Sequence, residues 1–576
     1  MKKNAIAFLC FVLIPFFVNA QTVPQKIDEL ISKYSQLRLF NGSALVADNG
    51  KVIFEKGYGY ADMEWDIPND PQTKFRLGSI TKQFTSMLIM QQVEKGNIKL
   101  DGKITDYLPY YRKDTGDKVT IHQLLTHTSG IPSYTNDPKF FSEVSRTYYK
   151  PDDFIKKYCS GDLEFEPGSQ FSYDNSGYFI LGAILEHVTG IPYDKLLQKN
   201  IFEPLGMKNS GYDWTEKIIP HRASGYEKNF GGYRNTDFID MSLPYAAGSL
   251  YSTVEDLFIW DKAKFSPKLL QKKYWDMIFT KHIKAIGNSY YGYGWMIDSY
   301  ANDNDTMKVI THGGGINGFN TINYTIPSKG QMVILLNNTG GAPLNEITNQ
   351  ILNILYGKPT QDPKKSLVEY LYNRINKDGI DPALAAFNKL KDDKDNYTYS
   401  EREINNLGYE LLNKDENEEA AAVFKLNVDL FPESFNVYDS YGEALLKMGD
   451  KEGAIKNYKK SVEINPHNTG GIEKLKELGV EIEAAEDVKV SQEVLNSYVG
   501  KYQLAPNFIL TVSVEGDKIF TQATGQPKIE IFPESENVFY LKVVQAKIEF
   551  KKNDKGSIES LILHQNGRDM PANKIE

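Results

Sequence analysis

The chain contains the run Phe75-Arg76-Leu77-Gly78-Ser79-Ile80-Thr81-Lys82, and residues 83–93 continue it with apolar side chains at helical spacing. Ser79 and Lys82 are three residues apart, so a helix places both on one face, with about 5–6 Å between their Cβ atoms. A serine at a helix N-terminus also lies near free backbone N–H groups, which favour an oxyanion. The pattern therefore predicts a nucleophilic serine with a lysine base, provided that burial or positive charge lowers the lysine pKa. An N-cap serine followed by a solvated lysine would give the same pattern. The choice between the catalytic and the structural interpretation therefore depends on other motifs.

The overall composition is that of an ordinary soluble protein, with 24% charged and 41% hydrophobic residues over 576 positions. This length predicts two to four domains. A formal net charge of −9 without a basic block argues against a nucleic-acid partner. The eight histidines are dispersed, and His122 and His127, the closest pair, have no nearby side chains that complete a metal pattern. We expect structural roles for both histidines, and neither a metal nor a cofactor.

The first 20 residues differ from the rest. Lys2 and Lys3 precede an apolar run that ends in small residues at Ala20. This pattern predicts a secretory signal peptide cut after Ala20, and hence a secreted or periplasmic protein. No later segment approaches the length of a membrane span, and Cys159 is the one cysteine left after cleavage, so no disulfide framework is expected.

Two further motifs carry side chains suited to a cleft. Tyr173-Asp174-Asn175 lies in a polar loop that opens onto an apolar helix, where either Tyr173 and Asn175 face a cleft or they form a turn and an N-cap. Further on, a strand runs into His312-Gly313-Gly314-Gly315, and glycines there permit close approach of the backbone to a ligand. The absence of G-x-G-x-x-G, and of a lysine-serine or lysine-threonine pair after the glycines, argues against a phosphate loop. The absence of G-x-S-x-G argues against an α/β-hydrolase.

Taken together, Ser79-Ile80-Thr81-Lys82, Tyr173-Asp174-Asn175 and His312-Gly313-Gly314 resemble the penicillin-recognising serine hydrolases, specifically the class C β-lactamase-like branch. The resemblance covers roughly residues 30–355. It implies a mixed sheet flanked by helices, with an all-helical lobe inserted after the nucleophile helix.

The resemblance also implies the roles of the individual residues. Ser79 would be acylated, with Lys82 as its proton acceptor. Tyr173 would pass a proton to the leaving group and activate water for deacylation, helped by positive charge on Lys82 and on His312 if it is protonated. Asn175 would hold the substrate amide and the lysine. The backbone N–H groups of Ser79 and Gly315 would form the oxyanion hole, beside the strand that contains Gly313 and Gly314.

One motif departs from the family, because His312-Gly313-Gly314 stands where β-lactamases usually carry Lys-Thr-Gly. Histidine is mostly neutral at pH 7, so a substrate carboxylate would lose its fixed positive partner. The resemblance therefore implies an esterase or D-amino-acid peptidase, acting on a small-molecule or peptide ester or amide, rather than an efficient β-lactamase. The alternatives are a β-lactamase or penicillin-binding sensor with slow turnover, and an interaction scaffold whose hydrolase domain is inactive.

The remainder of the chain contains a repeat and then a β-rich segment. Four positions recur after 34 residues, namely Gly408, Ala420, Phe424 and Pro432 as Gly442, Ala454, Tyr458 and Pro466. This period is similar to tetratricopeptide repeats, with helix pairs at 401–434 and 435–468 that either bind a peptide or protein or act as a spacer. From about 490 the apolar pattern alternates and predicts an antiparallel barrel of six or more strands, which either binds an apolar ligand or covers the active site. We expect a multi-domain protein with a signal peptide (1–20), an α/β (α+β) hydrolase domain (21–357), a helical region (358–485) and a small all-β domain (486–576).

Overall fold

The computed structural model describes residues 21–575 except 303–304, 483–487, 506–507, 525, 527, 542–545, 554 and 566–567. The predicted signal peptide lies outside the described residues. Within these ranges, none of the helices has the length and apolar character needed to cross a membrane.

An eight-stranded sheet forms the centre of the first part of the chain. Two of its strands come early in the chain, β1 (Gly42–Asp48) and β2 (Lys51–Tyr58). Short strands in separate small sheets follow, namely β3 (Tyr60–Asp62), β4 (Ile67–Pro68), β5 (Phe75–Arg76), β6 (Gly211–Tyr212), β7 (Tyr226–Asn229), β8 (Gly232–Asn235) and β9 (Leu250–Ser252). The strands that complete the eight-stranded sheet are β10 (Ile283–Lys284), β11 (Tyr290–Tyr291), β12 (Met296–Asn302), β13 (Asp305–Ile316), β14 (Phe319–Ile326) and β15 (Gln331–Asn337).

The expectation of a mixed sheet is wrong, because every described pairing in this sheet is antiparallel. Strands β10 to β15 follow one another in sequence as an antiparallel meander, and the β1–β2 hairpin joins β15 antiparallel. Antiparallel neighbours need only short connections, whereas a parallel pair needs a long crossover.

Both faces of the sheet are covered, as the burial of β1 shows. Leu45 and Ala47 belong to the large core on one side of the sheet. Ala44 and Val46 pack on the other side against the helices at residues 23–36 and 344–355. Side chains alternate between the faces of a strand, so a strand buried on both sides is a continuous apolar run.

Helices surround this sheet, and those inserted between β5 and β6 form the lobe that the resemblance implied. The helices are α1 (Val23–Gln36), α2 (Thr81–Glu94), α3 (Ile104–Tyr107), α4 (Lys113–Gly116), α5 (Ile121–Leu125), α6 (Pro151–Tyr158), α7 (Asn175–Thr189), α8 (Tyr193–Leu197), α9 (Glu203–Leu205), α10 (Tyr245–Gly248), α11 (Val254–Ala263), α12 (Lys272–Ile278) and α13 (Leu344–Leu355). Helix α2 is the central one, since every residue from Thr81 to Gln92 is buried. A helix enclosed on all sides holds its side chains in fixed positions relative to both lobe and sheet.

Paired helices form the middle part of the chain. They are α14 (Leu367–Asp378), α15 (Ile380–Leu390), α16 (Glu401–Leu412), α17 (Asn417–Leu430), α18 (Phe435–Lys447), α19 (Lys451–Ile464) and α20 (Thr469–Glu477), with a two-stranded bridge of β16 (Lys365–Ser366) and β17 (Tyr397–Thr398). A Cβ atom added at Gly408 would lie 2.4 Å from the Phe424 ring, and one at Gly442 would lie 3.2 Å from the Tyr458 ring. The 34-residue repeat thus places a small residue against an aromatic ring at each helix crossing.

The last part of the chain is a closed antiparallel barrel preceded by α21 (Gln492–Tyr498). Its strands are β18 (Gly500–Ala505), β19 (Phe508–Glu515), β20 (Lys518–Ala523), β21 (Ile529–Pro533), β22 (Val538–Leu541), β23 (Ala546–Lys552), β24 (Ile558–Gln565) and β25 (Arg568–Lys574). The prediction of six or more strands is confirmed, and pairing of β18 with β25 closes the barrel and leaves no edge strand among the described residues. Large side chains such as Tyr502, Phe539 and Phe550 fill its core.

Specific side chains join these parts. Glu369 of α14 pairs with Arg38 and, at 3.0 Å, with Lys228 of the first part. The His467 ring, beyond α19, stacks on Tyr540 of the barrel with 3.6 Å between ring centroids. The barrel also reaches the first part directly, because the Gln522 amide donates a hydrogen bond to Gln170.

Candidate active site

The nucleophile turn lies between β5 and α2. Gly78 has a φ of +54°, and a single 3-10 turn over Gly78–Ile80 continues directly into α2. A Cβ atom on Gly78 would lie 2.8 Å from the backbone nitrogen of Gly315, so only glycine fits both the backbone conformation and the approach of β13. This contact brings the backbone of Gly315 next to Ser79, where the sequence predicts two oxyanion donors.

Lys82 lies under Ser79 and is completely buried. Its amine is 3.0 Å from the Ser79 hydroxyl, 2.8 Å from the Asn175 side-chain oxygen and 3.0 Å from the Ala247 backbone oxygen. Burial lowers the pKa of Lys82 to about 7, and the more distant Asp174 carboxylate only partly opposes this effect. At neutral pH a large share of Lys82 is therefore an uncharged amine that can accept the serine proton.

Tyr173 lies on the other side of the lysine, with 4.9 Å between the lysine nitrogen and the ring centroid. The following residue, Asp174, is the N-cap of α7 and accepts a hydrogen bond from Gly177. This cap fixes where α7 begins and so directs Asn175 toward Lys82. Burial raises the pKa of Tyr173, although the Ser79 hydroxyl opposes this and 36% of the residue remains exposed. The phenol therefore carries its proton in the resting site.

Asn175 is held from both ends of its amide. Its oxygen accepts from Lys82 at 2.8 Å and its nitrogen donates to the Thr135 hydroxyl at 3.0 Å. The backbone nitrogen of Asn175 donates to the Ser133 hydroxyl, also at 3.0 Å. The two hydroxyl residues, which the sequence did not single out, orient the asparagine oxygen toward the lysine.

His312 closes the site from β13. It is buried, its Nε2 accepts from the Tyr291 hydroxyl at 3.0 Å, and its Nδ1 donates to the Gly313 oxygen at 2.6 Å. Burial, together with the nearby Lys82, lowers the pKa of His312 to about 3. The imidazole is therefore neutral, and it does not supply the second positive charge that the sequence argument allowed for beside Tyr173.

The three glycines after His312 have different surroundings. Strand β12 pairs with β13 only as far as Thr311, so among the described residues no strand lies beside this edge of β13 from His312 onward. Gly314 packs so closely on the nucleophile turn that a Cβ atom would lie 1.9 Å from the Leu77 oxygen. Gly315 lines the cleft next to Ser79, whereas Gly313 and Gly314 are not among its lining residues.

The cleft above Ser79 has uncharged walls. Its lining residues come from the nucleophile turn, the helical lobe and β13, and they are Ser79, Tyr134, Thr135, Phe140, Phe141, Asn175, Ile239, Pro244, Ala247, Gly248, Gly315, Ile316 and Asn317. Among the described residues, no group of three or more His, Cys, Asp or Glu side chains is arranged to hold a metal ion. The side chains around Ser79 provide a hydroxyl, an amine with a lowered pKa and a phenol.

Ser79, Lys82, Tyr173 and Asn175 come together as predicted from sequence, and Gly315 lies beside them. The predicted Gly313 and Gly314 do not line the cleft, and His127 was missed as a part of this site. It is fully buried, and its ring lies 4.2 Å from the Tyr173 ring. No local spacing indicates this contact, because 46 positions separate the two residues and nothing near His127 suggests a ligand or a base.

Comparisons with known proteins match three segments of the chain. The family model described as Beta-lactamase matches residues 27–355, a tetratricopeptide repeat matches 435–468, and a domain of unknown function (DUF3471) matches 484–574. The tetratricopeptide match coincides with the second predicted repeat.

Individual proteins match the same first part of the chain. The putative penicillin-binding protein PbpX of Bacillus subtilis is 32% identical over 332 residues, which cover 57% of this chain and 78% of PbpX. The crystal structure of a penicillin binding protein from Bacillus halodurans superposes with a TM-score of 0.50 at 26% identity, covering 56% of this chain and 98% of that protein. The D-amino acid amidase from Ochrobactrum anthropi SV3, in complex with L-phenylalanine amide, gives a TM-score of 0.50 at 25% identity, covering 58% and 99%. A family match over more than half of the chain, with its motifs assembled around one cleft, leads to one conclusion: this protein belongs to the Beta-lactamase family of serine hydrolases.

Proposed function

We propose that the protein is an exported serine hydrolase that cleaves esters or amides without a carboxylate beside the scissile bond, through an acyl-enzyme on Ser79. The observation that carries this proposal is the buried Lys82 amine, 3.0 Å from the Ser79 hydroxyl and with a pKa lowered to about 7. A base poised near the working pH is the most effective proton acceptor.

Each of the site residues has a role in acylation and in deacylation. Lys82 takes the Ser79 proton while the serine oxygen attacks the substrate carbonyl, and the backbone N–H groups of Ser79 and Gly315 bind the resulting oxyanion. Tyr173 gives its proton to the leaving alcohol or amine and is reprotonated from Lys82. In the second half, the same pair takes a proton from water, the hydroxide attacks the acyl carbonyl, and the serine oxygen leaves and regains its proton.

The substrate class follows from the walls of the cleft. A neutral His312 and uncharged lining residues offer no fixed cation to a carboxylate beside the scissile bond. The aromatic rings of Phe140 and Phe141 instead suit an apolar group. The similarity to a D-amino acid amidase supports amides as well as esters as substrates.

The test is a substrate panel on the full chain. We expect steady release of p-nitrophenol from short-chain esters, lost in Ser79→Ala and retained in the exposed control Ser142→Ala, which lies near the cleft mouth. D-Aminoacyl anilides test the amidase activity, and a chromogenic cephalosporin should be hydrolysed weakly or not at all.

A second candidate is a penicillin-binding protein that acylates and turns over slowly, which the similarity to PbpX favours. A single stoichiometric burst of product on Ser79 would support this candidate, and fast cephalosporin turnover would contradict our interpretation of His312. Failure of a fluorophosphonate to label Ser79 would contradict both candidates.

Export is part of the same proposal. The basic and apolar pattern of residues 1–20 supports a signal peptide cleaved after Ala20. N-terminal sequencing of the protein recovered outside the cytoplasm should begin at Gln21, and an uncleaved chain in the cytoplasm would contradict export.

A further inference from the structure

His127 occupies a backbone conformation that is uncommon for residues other than glycine. It lies just after α5, with a φ of +56°, in the left-handed region that favours glycine. Its side chain is completely buried, and its Nε2 has no hydrogen-bond partner among the described residues. A buried side-chain nitrogen without a partner is rare, and together with the uncommon backbone conformation it points to a functional constraint at this position.

His127 contacts Tyr173 and both of its neighbours in the chain. The backbone oxygen of His127 accepts from the nitrogen of Ser172 at 2.9 Å, and its Nδ1 accepts from the nitrogen of Asp174 at 3.2 Å. Its ring lies against the Tyr173 ring, with 4.2 Å between centroids and 36° between planes. One residue thus contacts the positions before, at and after the tyrosine, in a loop that has no regular backbone pairing of its own.

The imidazole is held as one neutral tautomer. Because Nδ1 accepts the Asp174 N–H, the proton is on Nε2. The rings of Phe171, Tyr178 and Tyr291 pack around the imidazole. The charged groups nearest to it are the Asp174 carboxylate, 3.8 Å from Nδ1, and the Lys82 amine. Burial and Lys82 lower the pKa of His127, while Asp174 opposes them. The ring therefore stays uncharged beside Tyr173 and does not compete with it for protons.

We propose that His127 is a positioning residue for Tyr173, holding the phenol over Ser79 and Lys82 so that it can protonate the leaving group. The inference rests on the proposed function, because it assigns Tyr173 as the proton donor. It predicts that replacing His127 lowers kcat/KM most for substrates whose leaving group must be protonated.

The experiment compares two esters with the same acyl group, p-nitrophenyl butyrate and ethyl butyrate. The p-nitrophenolate leaves without a proton, whereas ethoxide must be protonated. General acid catalysis contributes about 10²–10⁴-fold, so we expect His127→Asn to lower kcat/KM for ethyl butyrate at least about tenfold and for p-nitrophenyl butyrate less than about threefold. Asparagine tolerates the left-handed backbone and offers an acceptor oxygen, but it removes the ring.

Two further variants separate positioning from general damage. His127→Phe keeps a ring against Tyr173 but loses the acceptor for Asp174, and we expect it to show the same discrimination to a smaller degree. In Tyr173→Phe the leaving-group proton donor is gone, so adding His127→Asn should change kcat/KM for ethyl butyrate little further. The ratio of the two kcat/KM values does not depend on the active fraction, so partial misfolding of a variant does not obscure the result.

An equal fall for both esters in His127→Asn and His127→Phe, or additive losses with Tyr173→Phe, would overturn the positioning role. If the wild type showed no Ser79-dependent ester hydrolysis, the proposed function would fail instead. The two failures are therefore distinguishable in one set of measurements.

Discussion

Replacing Lys82 with methionine should change stability in opposite directions at low and high pH. The amine is completely buried, and the pKa of Lys82 is lowered from 10.5 to about 7. This difference corresponds to about 5 kcal/mol of desolvation cost for the charged form in the folded state, as an upper limit. Below pH 7 both the folded and unfolded chains bind this proton, so the folded state bears the full cost.

The sign of the pH dependence follows from proton binding. Between pH 7 and 10.5 the unfolded chain holds the lysine proton and the folded chain does not, so the stability of the wild type rises with pH through this window. Above it both forms are neutral and the cost disappears. Lys82→Met removes the cost at all pH values, but it also leaves the Asn175 and Ala247 oxygens without their donor. Each lost partner costs about 1–3 kcal/mol.

The two effects give a definite expectation. At pH 6 we expect Lys82→Met to stabilise the hydrolase domain by about 2 kcal/mol, and at pH 10 to destabilise it by a similar amount. Urea unfolding followed by tryptophan fluorescence is the assay, because the tryptophans all lie within residues 21–357 and report on that domain alone, at positions Trp65, Trp214, Trp260, Trp275 and Trp295. The exposed Lys95 at the end of α2 provides the matched control, since Lys95→Met should have the same small effect at both pH values.

An identical stability change for Lys82→Met at pH 6 and pH 10 would refute this argument, since it would mean that folding does not alter the lysine pKa. The same pKa governs activity. For the wild type we expect kcat/KM for p-nitrophenyl butyrate to rise with pH around a midpoint near 7, as the Lys82 amine loses its proton. A midpoint near 10 would be equally damaging to the proposed role of the lysine.

Two other substitutions test the oxyanion hole and the neutral histidine. Gly78→Ala puts a methyl group 2.8 Å from the Gly315 nitrogen, so kcat should fall about 10²-fold or more. The control Gly96→Ala should retain wild-type kcat, because Gly96 has a similar positive φ of +74° but open space around it. Comparable kcat losses in the two variants would argue that backbone strain alone is responsible. His312→Gln should leave the midpoint of the kcat/KM–pH profile near 7, because a pKa of about 3 keeps His312 neutral across the range pH 5–9; disappearance of that midpoint would assign it to the histidine instead.

The parts of the fold that could be predicted from sequence depend on local spacing. Ser79 and Lys82 are one helical turn apart, so their contact follows from helix geometry alone. The 34-residue repeat predicted helix pairs because the same small residues, Gly408 and Gly442, recur at each helix crossing. Alternating apolar residues predicted the barrel, although not the number of its strands.

The parts that could not be predicted depend on tertiary contacts. The resemblance implied a mixed sheet, and the observed antiparallel order depends on how β1 joins β15 across most of the first domain. Likewise, the charge state of His312 depends on burial among residues from distant segments, and the contact of His127 with Tyr173 brings together two separate loops. No local pattern in the chain encodes these distances.

The nucleophile and the phenol are supported by very different structures. Lys82 belongs to the buried helix α2 and Ser79 to the turn that leads into it, whereas Tyr173 lies in an irregular loop secured by His127 and, through Gln170, by the distant barrel. Gentle warming or mild denaturant should therefore open the Tyr173 loop before it disturbs Ser79 and Lys82, since loops with few buried contacts open at lower free energy than core helices. In such a partly opened protein, Ser79 would still be acylated by an activated ester, but the acyl-enzyme would be hydrolysed slowly. The protein would therefore accumulate as acyl-enzyme before it lost all activity.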